Sequence, residues 1–118
     1  MSSMKMNLAE LTRRVFSKKY EYLEGEQKFT GKSGKIWIFD AVVKANKRGN
    51  FGIFIRDWKR EISVTQLRQL YKACRDVPEI QGGIMVCTKI SDFARDYSFE
   101  FGIKLLSKMS LITVLRNN

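Results

Sequence analysis

Residues 35–45 read KIWIFDAVVKA, residues 51–58 read FGIFIRDW, and these two runs decide the fold. Both are rich in aromatic and β-branched side chains, which is typical of strands. The intervening residues 46–50, NKRGN, combine Asn and Gly in the manner of a hairpin turn. We therefore predict that the two runs are neighbouring antiparallel strands.

Helical patterns surround this hairpin. Residues 7–19 place Leu8, Leu11, Val15 and Phe16 on one face, with Asn7 as a plausible N-cap. Residues 63–75 begin with a capping box formed by Ser63 and Gln66. Residues 92–101 follow the cap Ser91 and are expected to turn four side chains inward: Phe93, Ala94, Tyr97 and Phe101.

Extended segments fill most of the remaining chain. Residues 20–23 suggest a short strand, and residues 30–34, TGKSG, read as a loop that lacks the spacing of a phosphate-binding loop. Residues 82–88 are apolar throughout, as in a central strand covered on both faces. Residues 103–106 suggest another strand, and the apolar residues 109–115 leave helix and strand open. We predict one α/β domain over residues 1–118, with a mixed sheet flanked by helices in the order α-β-β-β-α-β-α-β.

The charge balance indicates the class of partner. The 118 residues include 22 Lys and Arg against 12 Asp and Glu, a net charge of +10 with a pI near 9.9. Such an excess favours polyanions, nucleic acid first and an anionic membrane surface second. The absence of His removes every His-based catalytic scheme, and two Cys are too few for a zinc site. Neither a leader peptide nor a membrane span is apparent, so a cytoplasmic protein is expected.

Asp40 is the one acidic residue within the first long predicted strand. A carboxylate among apolar neighbours needs a partner, because burying an unpaired charge is costly. Two interpretations stay open at this point. Asp40 either forms a salt bridge with a Lys or Arg, or it binds a divalent metal ion.

The order of these elements around Asp40 resembles the PD-(D/E)XK nuclease superfamily. Residues 33–43, SGKIWIFDAVV, are similar to the "S-G … (I/F)-D-V-V" of Mrr-like restriction endonucleases and, more distantly, of archaeal Holliday-junction resolvases. Residues 53–60, IFIRDWKR, are similar to the same family's "V-E-C-K-D-W-K-R". Residues 64–68 and 83–88 carry weaker likenesses. The resemblance implies a restriction-endonuclease-like fold, and also dimerisation, which no residue pattern indicates.

The resemblance also implies where the active site has degenerated. In the family, an Asp and a Glu or Gln bind Mg²⁺, and a Lys two residues later helps to activate water. Asp40 keeps the first role, but Phe54 stands at the acidic position and Arg56 at the lysine position. A phenyl ring cannot bind a metal ion, and a guanidinium group stays protonated. Asp40 would then be a remnant, and no cofactor is expected.

An active site is still conceivable in a different register. Asp57, Trp58 and Lys59 spell D-x-K, so Asp40, Asp57 and Lys59 would form a Mg²⁺-dependent site if the strand slipped. Strand parity argues against this alternative, because Phe54 and Arg56 share one face and Asp57 lies on the other. Glu10 is a further candidate for an accessory acidic residue, although a surface Glu on a helix is the simpler interpretation.

Three functions follow from these observations. The first is a catalytically inactive domain that binds nucleic acid, DNA in preference to RNA, alone, as a homodimer or within a larger complex. The second is the active endonuclease, and the third is a protein-interaction module with an acidic partner. The candidate contacts with nucleic acid are Arg13, Arg14, Lys32, Lys35, Lys47, Arg48, Arg56, Lys59, Arg60, Gln66 and Arg68. The resemblance places the loop before Asp40 and the D-W-K-R strand on one face, where these cations would contact phosphates.

Overall fold

A computed structural model of the protein describes residues 6–117. Its strands are β1 (Glu21–Thr30), β2 (Ile36–Lys44), β3 (Asn50–Arg56), β4 (Gly82–Cys87) and β5 (Lys104–Ser107). Its α-helices are α1 (Leu8–Ser17), α2 (Val64–Asp76), α3 (Asp92–Phe101) and α4 (Lys108–Arg116). The order α-β-β-β-α-β-α-β-α confirms the predicted mixed α/β class and adds a helix at its end.

The five strands form one sheet in the order β1-β2-β3-β4-β5. The pairs β1–β2 and β2–β3 are antiparallel, whereas β3–β4 and β4–β5 are parallel. The predicted hairpin is therefore confirmed, and a short 3₁₀ turn at Asn46–Arg48 closes it. The parallel pairs place the carboxyl ends of β3, β4 and β5 at the same end of the sheet.

Each face of the sheet carries its own core. On one face, α1 and α4 supply residues such as Leu8, Leu11 and Leu111, all of which are at most 2% exposed. On the other face, α2 and α3 supply residues such as Leu67 and Ala94, neither of which is exposed at all. Because both faces are covered, the residues of β4 are almost entirely apolar and buried, as predicted.

Two of the predicted strands and helices differ from the structure in extent or type. The predicted strand over 20–23 is too short, since β1 continues to Thr30. The polar residues Glu24, Gln27 and Lys28 pair with β2 at the edge of the sheet, where one side of a strand remains in water. The open segment 109–115 is helical, because the Ser107 side chain caps α4 by accepting a hydrogen bond from the Ser110 amide at 3.1 Å.

Two side-chain predictions also differ. Phe93 does not point inward: 72% of it is exposed, whereas Ala94, Tyr97 and Phe101 pack against the core of the α2–α3 face. The capping box at α2 forms only in part. The hydroxyl of Ser63 accepts from the Gln66 amide, but the Gln66 side chain accepts a hydrogen bond from Arg56.

None of the helices between residues 6 and 117 is long and apolar enough to cross a bilayer. The longest, α2, has 13 residues, against the roughly 20 that a membrane-spanning helix needs.

Candidate nucleic-acid interface

Strands β2 and β3 separate at Asp40, and the Asp40 carboxylate takes over the hydrogen bonding there. The β2–β3 pairing begins at Lys44 and Asn50 and ends at Ala41 and Ile53. Beyond that point the backbone amide of Ile55 has lost a strand partner, and it donates to Oδ2 of Asp40 at 2.8 Å. The Asp40 carboxylate therefore replaces the β2 carbonyl that would otherwise accept this bond. A half-buried backbone amide such as that of Ile55 needs an acceptor.

A β-bulge accompanies this separation. The β1–β2 register shifts between Glu24 and Gln27, so two residues of β1 lie opposite the single residue Asp40 of β2. The alternation of β2 also changes here. Phe39 and Val42 both pack on the α2–α3 face, although a regular strand would place residues three positions apart on opposite faces.

Arg56 completes the bonding around Asp40. Its Nη1 donates to Oδ2 of Asp40 at 2.8 Å and to the carbonyl of Ile55 at 3.1 Å. Its Nε donates to Oε1 of Gln66, at the start of α2, at 2.9 Å. The side chains of Arg56 and Asp40 are 22% and 35% exposed. Asp40, Arg56 and Gln66 thus form one chain of hydrogen bonds that joins β2, β3 and α2.

The side chain of Phe54 lies on the face of the sheet opposite Asp40. Phe54 is 5% exposed and packs against Phe39 with 5.7 Å between ring centroids, in the core of the α2–α3 face. Asp40 instead lines a cavity on the α1 side together with Ile55. The two β3 side chains next to Asp40 are thus Arg56, which bonds to it, and Ile55, which lines this cavity, and neither can bind a metal ion.

The cavity beside Asp40 has a volume of about 360 Å³ and an acidic lining. Glu24 and Glu26 of the bulge line it, together with Tyr22. Burial raises the pKa of Tyr22 to about 12, and the charge of Glu24 adds to this effect. Within residues 6–117, Oδ1 of Asp40 accepts no hydrogen bond, and no three acidic or Cys side chains are grouped closely enough to hold a metal ion.

The residues of the alternative active site are engaged elsewhere. Asp57 follows the end of β3, is exposed, and accepts a hydrogen bond from the Thr88 hydroxyl at 3.1 Å. Lys59 is also exposed and lies further along the same loop. In the described part of the chain, no hydrogen bond or ion pair connects Asp40 to Asp57 or Lys59.

A tryptophan just beyond β3 has two arginines near its ring. The guanidinium carbon of Arg60 lies 4.4 Å from the centroid of the Trp58 ring, and that of Arg56 lies 5.9 Å from it. Trp58, Lys59 and Arg60 together line an open cavity of about 360 Å³. Arg68, on the second turn of α2, is exposed in the N-terminal half of that helix. We call the half-buried Trp58 and the exposed Lys59 and Arg60 the strand-end cluster.

The loop 31–35 does not join the strand-end cluster. It is held at the other end of α2 by Asp76, which accepts from the Ser33 hydroxyl at 2.6 Å, the Ser33 amide at 3.0 Å and Nε1 of Trp37 at 2.9 Å. These bonds, led by that of the Ser33 hydroxyl, lower the pKa of Asp76. Ten residues of helix, about 15 Å, separate Asp76 from Gln66, which bonds to Arg56. Lys32 and Lys35 therefore lie apart from Arg56, and the expected single face is divided.

The other candidate cations occupy two further places. Lys47 and Arg48 lie in the exposed turn between β2 and β3, at the opposite end of the sheet from the strand-end cluster. Arg13 and Arg14 lie on α1 and both donate to Glu10, at 2.6 and 3.1 Å. Glu10 is thus occupied by ion pairs, and those two hydrogen bonds lower its pKa.

Arg13 and Arg14 also border a groove of about 620 Å³ between α1 and α4. Lys18 and Arg116 complete the basic rim, and the floor is apolar. The floor comprises Met6, Leu11, Ile112 and Leu115.

No protein-family model and no curated protein matches this sequence. A crystal structure of a protein of unknown function, AF1548, superposes on the chain with a TM-score of 0.72. The two sequences are 14% identical, and the match covers 87% of this chain and 62% of AF1548. This chain therefore corresponds to less than two thirds of AF1548, and at this identity the likeness concerns the fold alone.

Proposed function

We propose that the protein binds nucleic acid, DNA in preference to RNA, without cleaving it, and that the strand-end cluster is the principal contact. The observation that carries this proposal is the packing of Arg60 on Trp58 beside the exposed Lys59. Cations placed next to an aromatic ring are suited to a ligand that carries both phosphates and bases. The net charge of +10 supplies the long-range attraction.

The bonding of Asp40 supports the absence of cleavage. One carboxylate oxygen already accepts from the Ile55 amide and from Arg56. A guanidinium group cannot accept a proton from an attacking water, so Arg56 cannot replace the lysine of an active site. The cavity next to Asp40 is lined by two more carboxylates, whose charges repel a phosphate. Asp40 thus has a structural role in this proposal.

The experiment combines binding and cleavage. Fluorescence anisotropy with a labelled DNA, repeated over a range of salt concentrations, would compare the wild type with Lys59→Ala/Arg60→Ala and with the matched pair Lys47→Ala/Arg48→Ala. Both variants lose two positive charges. We expect Lys59→Ala/Arg60→Ala to reduce the affinity for DNA at least tenfold. The slope of log affinity against log salt concentration should become shallower by about 2. Lys47→Ala/Arg48→Ala should change the affinity and the slope much less, because it lowers the net charge of the protein without removing a contact with DNA.

Equal effects of the two variants would contradict the assignment of the contact surface, and no binding by the wild type near physiological salt would contradict the function itself. The alternative endonuclease, which uses Asp40, Asp57 and Lys59, is tested on the same samples. It requires DNA cleavage with Mg²⁺ or Mn²⁺ that disappears in Asp40→Ala. We expect single-stranded, duplex and branched DNA all to remain intact.

The groove between α1 and α4 favours a second candidate function, that of a protein-interaction module. Its basic rim and apolar floor are complementary to an acidic, amphipathic segment of a partner protein. Leu115→Asp would place a charge on the floor and abolish such binding while leaving DNA binding at the strand-end cluster intact. Dimerisation stays a prediction from the resemblance, and light scattering of the same samples would test it.

A further inference from the structure

Four aromatic rings form a continuous row across α2 and α3, and the outermost ring is exposed. Tyr71 stacks on Phe101 with 4.9 Å between centroids, Phe101 contacts Tyr97 at 5.8 Å, and Tyr97 stacks on Phe93 at 6.4 Å with an interplanar angle of 23°. The inner rings pack against the core, whereas Phe93 is 72% exposed. The row therefore ends in an apolar ring that contacts Tyr97 and is open to solvent.

The Phe93 ring lies toward the same end of the sheet as the strand-end cluster. Helix α3 follows β4, whose carboxyl end is next to that of β3. The two connecting loops are bonded to each other: Asp57 accepts from the Thr88 hydroxyl at 3.1 Å, and the Ile62 amide donates to the Lys89 carbonyl at 3.4 Å. Phe93, in the first turn of α3, thus follows a loop that is bonded to the loop carrying the strand-end cluster.

We infer that the ligand of this surface is single-stranded nucleic acid, with Phe93 as a stacking platform for an unpaired base. The inference rests on the proposed function and specifies its substrate class. In a duplex the base faces are already covered by neighbouring bases, so an exposed phenyl ring gains little there. In a single strand each base offers a free face, and stacking on an aromatic side chain adds to the attraction between phosphates and cations.

The chain contains a matched control for this inference. Phe99 also lies on α3 and is even more exposed, at 84%. It is outside the aromatic row, six residues along the helix from Phe93, which corresponds to a rotation of about 240°. Among residues 6–117, no aromatic ring packs on that of Phe99. Phe93→Ala and Phe99→Ala therefore remove the same group from the same helix, and only one of them removes the platform.

The experiment measures the affinity of these variants for a labelled oligothymidylate and for a duplex of the same length. We expect Phe93→Ala to weaken single-strand binding about 5- to 100-fold and to leave duplex binding within about twofold. Phe99→Ala should leave both affinities unchanged, and Phe93→Tyr should retain single-strand binding. An oligonucleotide containing 2-aminopurine should lose fluorescence on binding to the wild type and not on binding to Phe93→Ala.

Equal losses in the two alanine variants, or a wild type that prefers the duplex, would overturn the inference while the proposed function stands. A wild type that binds neither probe would overturn the proposed function as well. Thermal melting of each variant checks that the fold is retained, which the exposure of both side chains leads us to expect.

Discussion

Asp40→Ala tests whether the carboxylate at the split between β2 and β3 is structural. The substitution leaves the Ile55 amide without its acceptor and Arg56 without its counter-ion. A hydrogen bond to a charged group contributes about 2 kcal/mol, and a partly exposed ion pair adds about 0.5 kcal/mol after screening. The expected loss in the free energy of unfolding is therefore about 2.5 kcal/mol. For a chain of this length, it corresponds to a decrease in Tm of about 10 °C.

The assay is thermal unfolding followed by circular dichroism, with Asp57→Ala as the control. Asp57 is exposed, and between residues 6 and 117 its one hydrogen bond is from the Thr88 hydroxyl, so its removal should lower Tm by less than about 2 °C. Asp40→Asn keeps an acceptor for the Ile55 amide and loses the ion pair, so it should fall between the two. If Asp40→Ala were as stable as the wild type or more stable, the structural role would be refuted, since residues kept for function often reduce stability.

Three further predictions concern groups outside this split. Hydrogen bonding lowers the pKa of Asp76, so the contribution of its carboxylate to stability is complete above the ordinary carboxyl pKa of 3.8 and is lost as the pH falls through the lowered value. Asp76→Asn should therefore weaken the dependence of the free energy of unfolding on pH below about 4, as measured by urea titration. Burial raises the pKa of Cys74 to about 12 and that of Cys87 to about 11. Both thiols should therefore react slowly with a disulfide reagent at pH 8 in the native protein and rapidly in denaturant. Fast labelling of the native protein would contradict this prediction. A Cβ at Gly52 would overlap the ring of Phe39, so Gly52→Ala should cost about 2 kcal/mol in chemical denaturation, and a neutral effect would show that the ring moves freely.

Most of the fold follows from periodicity because burial is regular there. The runs 35–45 and 51–58, rich in aromatic and β-branched residues, and the segment that begins at the cap Ser63 correspond to β2, β3 and α2. The far half of β1 was harder to predict, since an edge strand with one wet side contains Glu, Gln and Lys as readily as a loop does. Local composition cannot distinguish the two cases, because the pairing partner decides between them.

The candidate site was predictable only in part. A salt bridge between Asp40 and a Lys or Arg was one of two open alternatives, and the structure contains it. The bonding of Gln66 to Arg56 was missed, because a Gln three residues after Ser63 fits a capping box equally well. The exposure of Phe93 depends on how α3 is oriented on the sheet, and the spacing of residues 93, 97 and 101 gives no sign that the row ends in water.

The bonds between Asp76 and the loop 31–35 have a consequence for biosynthesis. Asp76 lies 43 residues after Ser33 and 39 after Trp37. At a synthesis rate of about 5–20 residues per second, the tip of the β1–β2 hairpin leaves the ribosome roughly 2 to 9 seconds before its anchor does. During that interval the apolar side of the hairpin, which α2 later covers, is available to neighbouring nascent chains. The emergence of α2 ends this vulnerable period.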